Sequence, residues 1–405
     1  MIAQLRFSAW KSFVDPKRST LPFHATTLLV GPNASGKSNA LDALQFLQGL
    51  AQDLTVEEVL RGRWEGGRQT WPGIRGGDAE AVWLGASEFQ IDTDIHRDGA
   101  LLRHEIRIST LPRVEVVAER LWRGETLLFD TNMLVAGRPW AQRDGTLLVG
   151  YEPSLPRAPH PAVRLRASRA VLVQLQSEPD MHESVLVGAQ AVRDELRNLI
   201  RLDLQPHLMR SPAPVHASRM GAAGENIAAV LHGLSPRLRD DLVDWLSELC
   251  APQIEGIHFV NVPEVREVYF QLAEGGRRVS SRSLSDGTLR FLGILVALLT
   301  APAGTTIVIE EPDVGLHPSR VHLLAALLER LPNRHSFQVI ASTHSPALLA
   351  HLSDEALANV LAFGRDPATG ASVVARVGDL PAFPALRSSG QRDHLIATGW
   401  LERAL

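Results

Sequence analysis

Residues 26–50, TTLLVGPNASGKSNALDALQFLQGL, carry the strongest structural signal in the sequence. It opens with a short apolar run, continues through a glycine-containing loop and ends with apolar residues at helical spacing. This order predicts strand, loop and helix. Within it, GPNASGKS (31–38) matches G-x-x-x-x-G-K-[S/T] in full, the pattern of a phosphate-binding loop. Its glycines let backbone N–H groups surround phosphate oxygens, and the following helix adds its positive N-terminal end.

The side chains of this loop suit a nucleotide and a divalent cation. Lys37 places a point charge against the outer phosphates, and the Ser38 hydroxyl is positioned for Mg²⁺. A degenerate structural loop is the alternative. The predicted nucleotide-binding residues are Gly31, Pro32, Asn33, Ala34, Ser35, Gly36, Lys37, Ser38 and Asn39.

Two adjacent carboxylates end the apolar run in TTIVIEEPDVGLHP, residues 305–318. Buried carboxylates are costly unless a cation or a water molecule needs them. The pattern therefore predicts a Walker B element, in which Glu310 holds Mg²⁺, through water, and Glu311 polarises the attacking water. A solvated strand end is the alternative.

Two further segments contain candidate functional residues, one after the paired glutamates and one before them in the chain. In VIASTHSP (339–346), His344 follows an apolar strand and could face the γ-phosphate, although a lone histidine is more often structural. In SLSDGTLRFLGIL (283–295), Ser285 is a good N-cap for a helix. Gly287 weakens that helix and needs a separate reason.

Length and composition set the broad class. A chain of 405 residues allows two or three domains, and 45% hydrophobic content is typical of globular proteins. A net charge of −4 does not indicate a protein that binds polyanions over its whole surface, although a basic patch could exist locally. Cys250 is the only cysteine, which excludes an internal disulfide and favours a reducing cytosol. We expect no signal peptide and no transmembrane helix, and therefore a cytoplasmic protein.

The rest of the chain is assigned from periodicity and turn residues. Strands are expected over 2–7, 26–30, 257–272 and 277–280, and in five short antiparallel segments between 80 and 150. Residues 55–78 read as an exposed loop. Helices are expected over 183–201, 225–234 and 236–250.

From residue 284 the expected order alternates between helices and strands. The strands cover 305–310 and 337–341, and this alternation indicates a parallel, doubly wound sheet. We predict an N-terminal ATPase lobe (1–180), a helical insertion lobe (181–282) and a C-terminal ATPase lobe (283–405).

The phosphate loop, LSDGT, IEEPDVGLHP and STHSP, in that order along the chain, resemble the head domain of an ABC-type ATPase. The N-terminal LRFSAWKSF, the GPNASGKSN loop and the EEP…GLHP segment look like the RecF, SMC and OLD-type, AAA-like branch. The resemblance covers most of the chain and is weakest from 55 to 180. It implies an α/β P-loop NTPase with a mixed or parallel core sheet, an antiparallel β section and a helical lobe.

The resemblance also implies ATP hydrolysis and a mechanism. Two heads would form a homodimer, with each ATP held by the phosphate loop of one subunit and the signature segment of the other. Ser285 and Gly287 would contact the γ-phosphate bound in the partner, Asp313 would lie in a loop crossing the interface, and His344 would be the switch histidine.

The sequence departs from the family in three ways. The glutamine that normally links Mg²⁺ to conformational change is not placed; Gln69 and Gln90 are candidates. Glu310 stands where many relatives have aspartate. The segment after His344 is too short for the nuclease domain of OLD-type proteins and holds no dense acidic cluster.

These features favour an ATPase that drives or gates a DNA-related process, such as repair or anti-phage defence, with a nuclease or other effector as partner. Two arginine groups could contact DNA or form ordinary solvated surface: Arg157, Arg164, Arg166 and Arg169, and a helical face of Arg193, Arg197 and Arg201. The alternatives are the energising subunit of a membrane transporter and an ATP-binding scaffold without turnover, which Glu311 argues against.

Overall fold

The chain folds into two compact units, each assembled from separated stretches of sequence. The computed structural model describes residues 1–132, 145–151, 162–178, 181–215, 219–249 and 253–388. The first unit comprises Met1–His24, Pro32–Leu199 and Phe363–Ala375; the second comprises Ala25–Gly31, Ile200–Ala362 and the segment from Arg376 onward. The three lobes expected from the sequence stay predictions.

The strands in the described residues are β1 (Ile2–Ser8), β2 (Thr20–Pro22), β3 (Thr26–Val30), β4 (Arg63–Glu65), β5 (Arg68–Trp71), β6 (Glu88–Arg97), β7 (Ala100–Ser109), β8 (Glu115–Arg123), β9 (Thr126–Asp130), β10 (Thr146–Tyr151), β11 (Ala162–Arg166), β12 (Leu199–Leu202), β13 (Ala213–Pro214), β14 (Ile254–Val262), β15 (Glu267–Glu274), β16 (Arg277–Ser280), β17 (Thr306–Glu310), β18 (Gln338–Thr343), β19 (Leu361–Arg365) and β20 (Ser372–Arg376). The helices are α1 (Lys37–Ala51), α2 (Val56–Arg61), α3 (Val171–Gln174), α4 (Glu183–Arg197), α5 (Pro206–Met209), α6 (Ile227–Gly233), α7 (Pro236–Leu249), α8 (Asp286–Thr300), α9 (Val321–His335), α10 (Pro346–Ala350), α11 (Asp354–Ala358) and α12 (Phe383–Ser388).

The first unit contains the antiparallel β section. Its strands lie in the order β11–β10–β9–β8–β7–β6–β1–β2, which confirms the antiparallel sheet expected between residues 80 and 150. One face is buried and mostly apolar, while opposite charges pair across neighbouring strands on the other. Arg6 donates to both carboxylate oxygens of Asp94 at 2.9 and 3.0 Å, and Arg103 lies 3.1 Å from the same carboxylate.

The loop expected over residues 55–78 is instead α2 followed by the β4–β5 hairpin. Thr55 accepts a hydrogen bond from the backbone of Glu58, whose carboxylate in turn accepts from the backbone of Thr55. This reciprocal capping box starts the helix. Trp71, at the end of β5, is buried and donates its indole N–H to the carbonyl of Val59 at 3.1 Å. The glycines and arginines of this stretch therefore belong to a folded element.

The second unit is built on a parallel sheet. Strand β18 lies between β3 and β17 and pairs in parallel with both, and β19 pairs in parallel with β3. Strand β12 lies beside β17 at the end of the strand order. The residues of β18 are all buried, which is typical of parallel strands covered on both faces. This confirms the α/β class with a parallel core sheet.

Two predicted elements have different boundaries in the structure. The helix expected over 183–201 ends at Arg197, and the chain then enters β12. The strand expected over 257–272 is a hairpin of β14 and β15. The turn between them contains Pro263, and Arg266 has a positive φ of 54°. Proline cannot donate a ladder hydrogen bond, so a continuous strand through this point is disfavoured.

Candidate functional site

The phosphate loop has the backbone conformation that its glycines permit. Gly31 and Gly36 have φ values of 149° and 111°, and Ala34 between them has a φ of 62°. Helix α1 begins at Lys37, directly after Gly36. A Cβ atom on Gly36 would also lie 2.4 Å from the Oγ of Ser372. Gly36 is therefore required both by its φ and by the lack of space beside it.

Residues distant in sequence support this loop within the first unit. The hydroxyl of Ser372 lies 2.6 Å from the carbonyl oxygen of Ser35 and 2.7 Å from the hydroxyl of Ser12. The Ser12 hydroxyl accepts a hydrogen bond from the side-chain amide of Asn39 at 2.8 Å. Arg365 donates to the carbonyl of Ala34 at 2.7 Å. Residues on β20, on β19 and after β1 thus hold the shape of the loop.

Lys37 is buried, and its Nζ donates to the carbonyl of Pro32 in the same loop at 2.9 Å. One turn further along α1, the buried carboxylate of Asp42 pairs with Lys11 at 2.7 Å and with Arg75 at 3.0 Å. Arg75 also donates to the carbonyl of Ser38. Sequence reasoning missed this charge cluster, because its members lie on three separate segments.

In the second unit, three parallel strands end side by side. Val30 at the end of β3 is opposite Thr343 of β18, and Glu310 at the end of β17 is opposite Ser342. Gly31, Glu311 and His344 follow these three strand ends directly. The predicted carboxylates, the histidine and the first glycine of the phosphate loop therefore leave the sheet at one edge.

The two adjacent glutamates have different surroundings at this edge. Glu310 accepts a hydrogen bond from Arg201 of β12 at 2.6 Å. Glu311 adopts a φ of 49°, and its backbone N–H donates to the carbonyl of Ser342 at 2.9 Å. A positive φ is uncommon for a residue with a Cβ and is often found at functional sites. The conformation leaves the Glu311 side chain 50% exposed, with an oxygen 3.7 Å from the Nε2 of His344.

The loop after the glutamates is connected to β18 and to α8. Asp313 accepts a hydrogen bond from the hydroxyl of Thr343 at 2.7 Å. Ser285 is the N-cap of α8, as predicted, and accepts from the backbone N–H of Thr288 at 3.1 Å. A Cβ on Gly287 would lie 2.0 Å from the carbonyl oxygen of Gly315. Close packing of two backbone segments thus explains Gly287, while a role at a partner's phosphate stays a prediction.

The structure corrects one group of arginines. Arg201 does not share a helical face with Arg193 and Arg197, because α4 ends first and Arg201 lies on β12. Arg193 donates to the carbonyl of Ala51 at 3.2 Å, whereas Arg197 is exposed in the last turn of α4.

The other predicted basic and glutamine positions lie in the first unit. Arg164 and Arg166 are exposed on β11, and Arg169 pairs with Asp53 at 2.7 Å; Arg157 lies outside the described residues. The two glutamine candidates are on strands: Gln69 is exposed on β5, and Gln90 on β6 donates to Asp92 at 2.7 Å. Their proposed link to Mg²⁺ stays a prediction.

Comparison with known proteins adds three kinds of similarity. A family model described as "AAA domain, putative AbiEii toxin, Type IV TA system" matches residues 26–114 and 193–350, more than half of the chain, and these ranges contain all four motifs. The ATP-binding protein EcfA of an energy-coupling factor transporter from Methanoculleus marisnigri is 28% identical over 100 residues, 25% of this chain and only 31% of that protein.

Solved structures similar to the chain include heads of SMC proteins. The SMC head domain from Thermotoga maritima has a TM-score of 0.46 at 14% identity, over 93% of this chain and 98% of that one. An SMC head bound to the C-terminal winged-helix domain of ScpA has a TM-score of 0.47 at 16% identity, over 92% and 96% of the two chains.

In the described part of the chain, no helix combines the length and the hydrophobicity that a membrane span requires. No group of three or more His, Cys, Asp or Glu side chains there is arranged to hold a metal ion.

The contact between Gly287 and Gly315 yields a prediction about stability. Gly287→Ala should destabilise the protein by about 1–3 kcal/mol, because the added methyl group overpacks against a backbone carbonyl. Gly233→Ala is the matched control, since Gly233 is also helical and a Cβ there meets nothing within 4 Å. Urea unfolding of both variants measures the difference; equal stability of the two would contradict the close backbone contact.

Proposed function

Because the chain belongs to the AAA-domain family whose model it matches over more than half its length, we propose that this P-loop ATPase chain binds ATP with Mg²⁺ and hydrolyses it. Membership confirms the resemblance to AAA-like ATP-binding proteins. The observation that carries the catalytic proposal is the shared edge of β3, β17 and β18. Phosphoryl transfer needs positioning and charge stabilisation more than covalent chemistry from the protein, and this edge brings suitable groups together.

In this proposal, the phosphate loop Gly31–Ser38 and Asn39 bind the nucleotide, and Lys37 neutralises the outer phosphates. Lys37 already donates to a carbonyl of the loop, so it is held at the phosphate-binding segment. The Ser38 hydroxyl and the Glu310 carboxylate would hold Mg²⁺, and oxygen ligands of this kind are those Mg²⁺ prefers. When bound, the ion supplies positive charge to the phosphate oxygens.

Glu311 and His344 are assigned to the water and the γ-phosphate. Glu311 is half exposed beyond the strand end, where its carboxylate can accept a proton from a water molecule. His344 lies next to it and can donate a hydrogen bond to a phosphate oxygen. The strained backbone of Glu311 supports this role, because strain of this kind persists where the surrounding structure holds it.

The Lys37 assignment gives a direct test. Lys37→Ala should lower the ATPase rate at least 100-fold, because the charge on the outer phosphates is lost. Lys17→Ala, which removes an exposed lysine, serves as control and should keep the full rate. The measurement is phosphate release at saturating ATP and Mg²⁺. Turnover of Lys37→Ala at the control's rate would refute the phosphate-loop assignment.

We further propose that ATP joins two copies of the chain. Ser285, Gly287 and Asp313 would face the partner's nucleotide. Val314, next to Asp313, is 43% exposed, and an interface would remove this apolar side chain from water. The backbone contact between Gly287 and Gly315 joins the start of α8 to the loop after β17, so both would meet a partner as one surface.

Glu311→Gln should trap this dimer, because the amide cannot accept the proton and ATP stays intact. Light scattering with ATP and Mg²⁺ should show twice the mass found without nucleotide. Glu264→Gln, at an exposed position of the β14–β15 turn, should stay at the unliganded mass. Adding Ser285→Arg to Glu311→Gln should restore the monomer. A monomeric Glu311→Gln protein that still binds ATP would exclude the ATP-joined dimer.

We propose that the ATPase acts on DNA or controls a nuclease or other effector that does. Arg164 and Arg166 support a DNA contact, since both are exposed and lie two residues apart on one face of β11. The net charge of −4 confines such binding to a local surface of this kind.

Binding of a duplex should weaken as salt rises, because phosphate contacts release counterions. The double variant Arg164→Ala/Arg166→Ala should reduce the slope of log K against log salt by about 2. Arg334→Ala, at an exposed position of α9, should keep the original slope. Fluorescence anisotropy of a labelled duplex measures the salt dependence of binding for the wild type and for both variants. Absence of binding at low salt, or an unchanged slope in the double variant, would reject this DNA contact.

A second candidate is the energising subunit of a membrane transporter, favoured by the EcfA match. That match covers a quarter of the chain. Transporter signatures usually carry a glutamine after the glycine pair, whereas this segment reads SDGTLRF. Phosphate release measured with and without added DNA separates the two candidates, since only the first predicts that DNA stimulates hydrolysis.

A further inference from the structure

Arg201 lies outside the four motifs and contacts the carboxylate of Glu310. We propose that Arg201 is a positioning residue for the carboxylate of Glu310, and that it sets the affinity of the site for its divalent cation. This inference rests on the proposed role of Glu310 as a metal ligand. In this inference, Arg201 affects the ion only through its contact with Glu310.

The two side chains are joined by the order of the strands. β12 lies beside β17, and Leu199 and Leu202 at the two ends of β12 are buried. Arg201 reaches from this strand to the end of its neighbour, where its Nη2 lies 2.6 Å from the Oε1 of Glu310. A contact this short between charged groups is a charge-assisted hydrogen bond, which has a strong directional preference.

Stability alone does not explain this pair. Both side chains are partly exposed, at 30%, and ion pairs that water reaches contribute only modestly to folding. The effect of the contact is geometric. The guanidinium donates along a fixed N–H direction and so holds the Oε1 oxygen of Glu310 in one position, which the rotating ammonium group of a lysine does to a lesser degree.

The surroundings of the pair concentrate its effect. Arg201, Glu310 and Glu311 line one cavity of the second unit, whose wall also includes Arg290 of α8 and the apolar side chains of Leu204 and Ile294. Five of the ten lining residues are charged, namely Arg201, Asp203, Arg290, Glu310 and Glu311, and the Arg201–Glu310 pair is only partly exposed. Partial exclusion of water makes neighbouring charges act on one another more strongly than in bulk water. The orientation of the Glu310 carboxylate therefore depends on the position of the Arg201 guanidinium.

Hydrogen-bonding partners of a ligating carboxylate orient it towards the metal, and their loss typically costs about 10- to 100-fold in affinity or activity. By this argument Arg201 raises the affinity for the ion by keeping Glu310 in a single orientation. If Arg201 only competed with the ion for the Glu310 carboxylate, it would lower the affinity for the ion.

The test measures metal affinity directly. Mn²⁺ binding is followed by electron paramagnetic resonance with the non-hydrolysable nucleotide AMP-PNP present, using the wild type and its variants. Arg201→Ala should weaken Mn²⁺ binding about 10-fold or more, while nucleotide affinity in EDTA changes less than about twofold. Arg201→Lys should recover part of the loss, because charge returns without the planar fork.

Arg197→Ala is the matched control, because Arg197 is four residues earlier and exposed on α4. It should bind Mn²⁺ as the wild type does. Unaltered or tighter Mn²⁺ binding by Arg201→Ala would overturn the positioning role. If Arg201→Ala fails to fold, Arg201→Lys and Arg201→Gln carry the same comparison, with thermal melting as the check on folding.

Glu310→Gln separates this inference from the proposed function. If Glu310→Gln weakens Mn²⁺ binding and Arg201→Ala does not, only the role of Arg201 is wrong. If Glu310→Gln also binds Mn²⁺ as the wild type does, Glu310 is not a metal ligand, and this part of the proposed function fails with the inference.

Discussion

The parallel register of β3, β18 and β17 is the constraint on which the rest of the site depends. Hydrogen bonds place Val30 opposite Thr343, and Glu310 opposite Ser342. Side chains alternate along a strand, so a slip of one residue would turn Glu310 to the other face of the sheet. The buried strands oppose such a slip, because it would exchange the side chains packed against the two covered faces and disrupt the close packing on both. Core packing thus determines where the carboxylates and the histidine leave the sheet.

Close approaches between backbone segments impose a second constraint. Gly36 leaves room for Ser372, and Gly287 leaves room for the carbonyl of Gly315. A Cβ at either position would require other atoms to move, and at Gly287 the nearest atom belongs to the backbone. Motif glycines therefore meet structural demands inside this chain, in addition to the phosphate contacts for which the motif is known.

A buried charge behind the phosphate loop also depends on residues from distant segments of the chain. Asp42 is buried on α1 and is compensated by Lys11 and Arg75, which come from either side of it in the sequence. A buried carboxylate without such partners is strongly unfavourable. The first turns of α1, directly behind the phosphate loop, are therefore held by residues that no local pattern connects.

The sequence alone determined the order of elements around the motifs, since the phosphate loop, the paired glutamates and the N-cap of α8 are local features. Periodicity also identified the antiparallel strands of the first unit. It failed at residues 55–78, where the capping signal at Thr55 and Glu58 was present but glycine content suggested a loop. Only the tertiary structure decided that Arg201 lies on a strand beside Glu310, and that Gly287 packs on Gly315. Both contacts join segments far apart in the chain, and the spacing of residues along a sequence holds no information about which strands become neighbours.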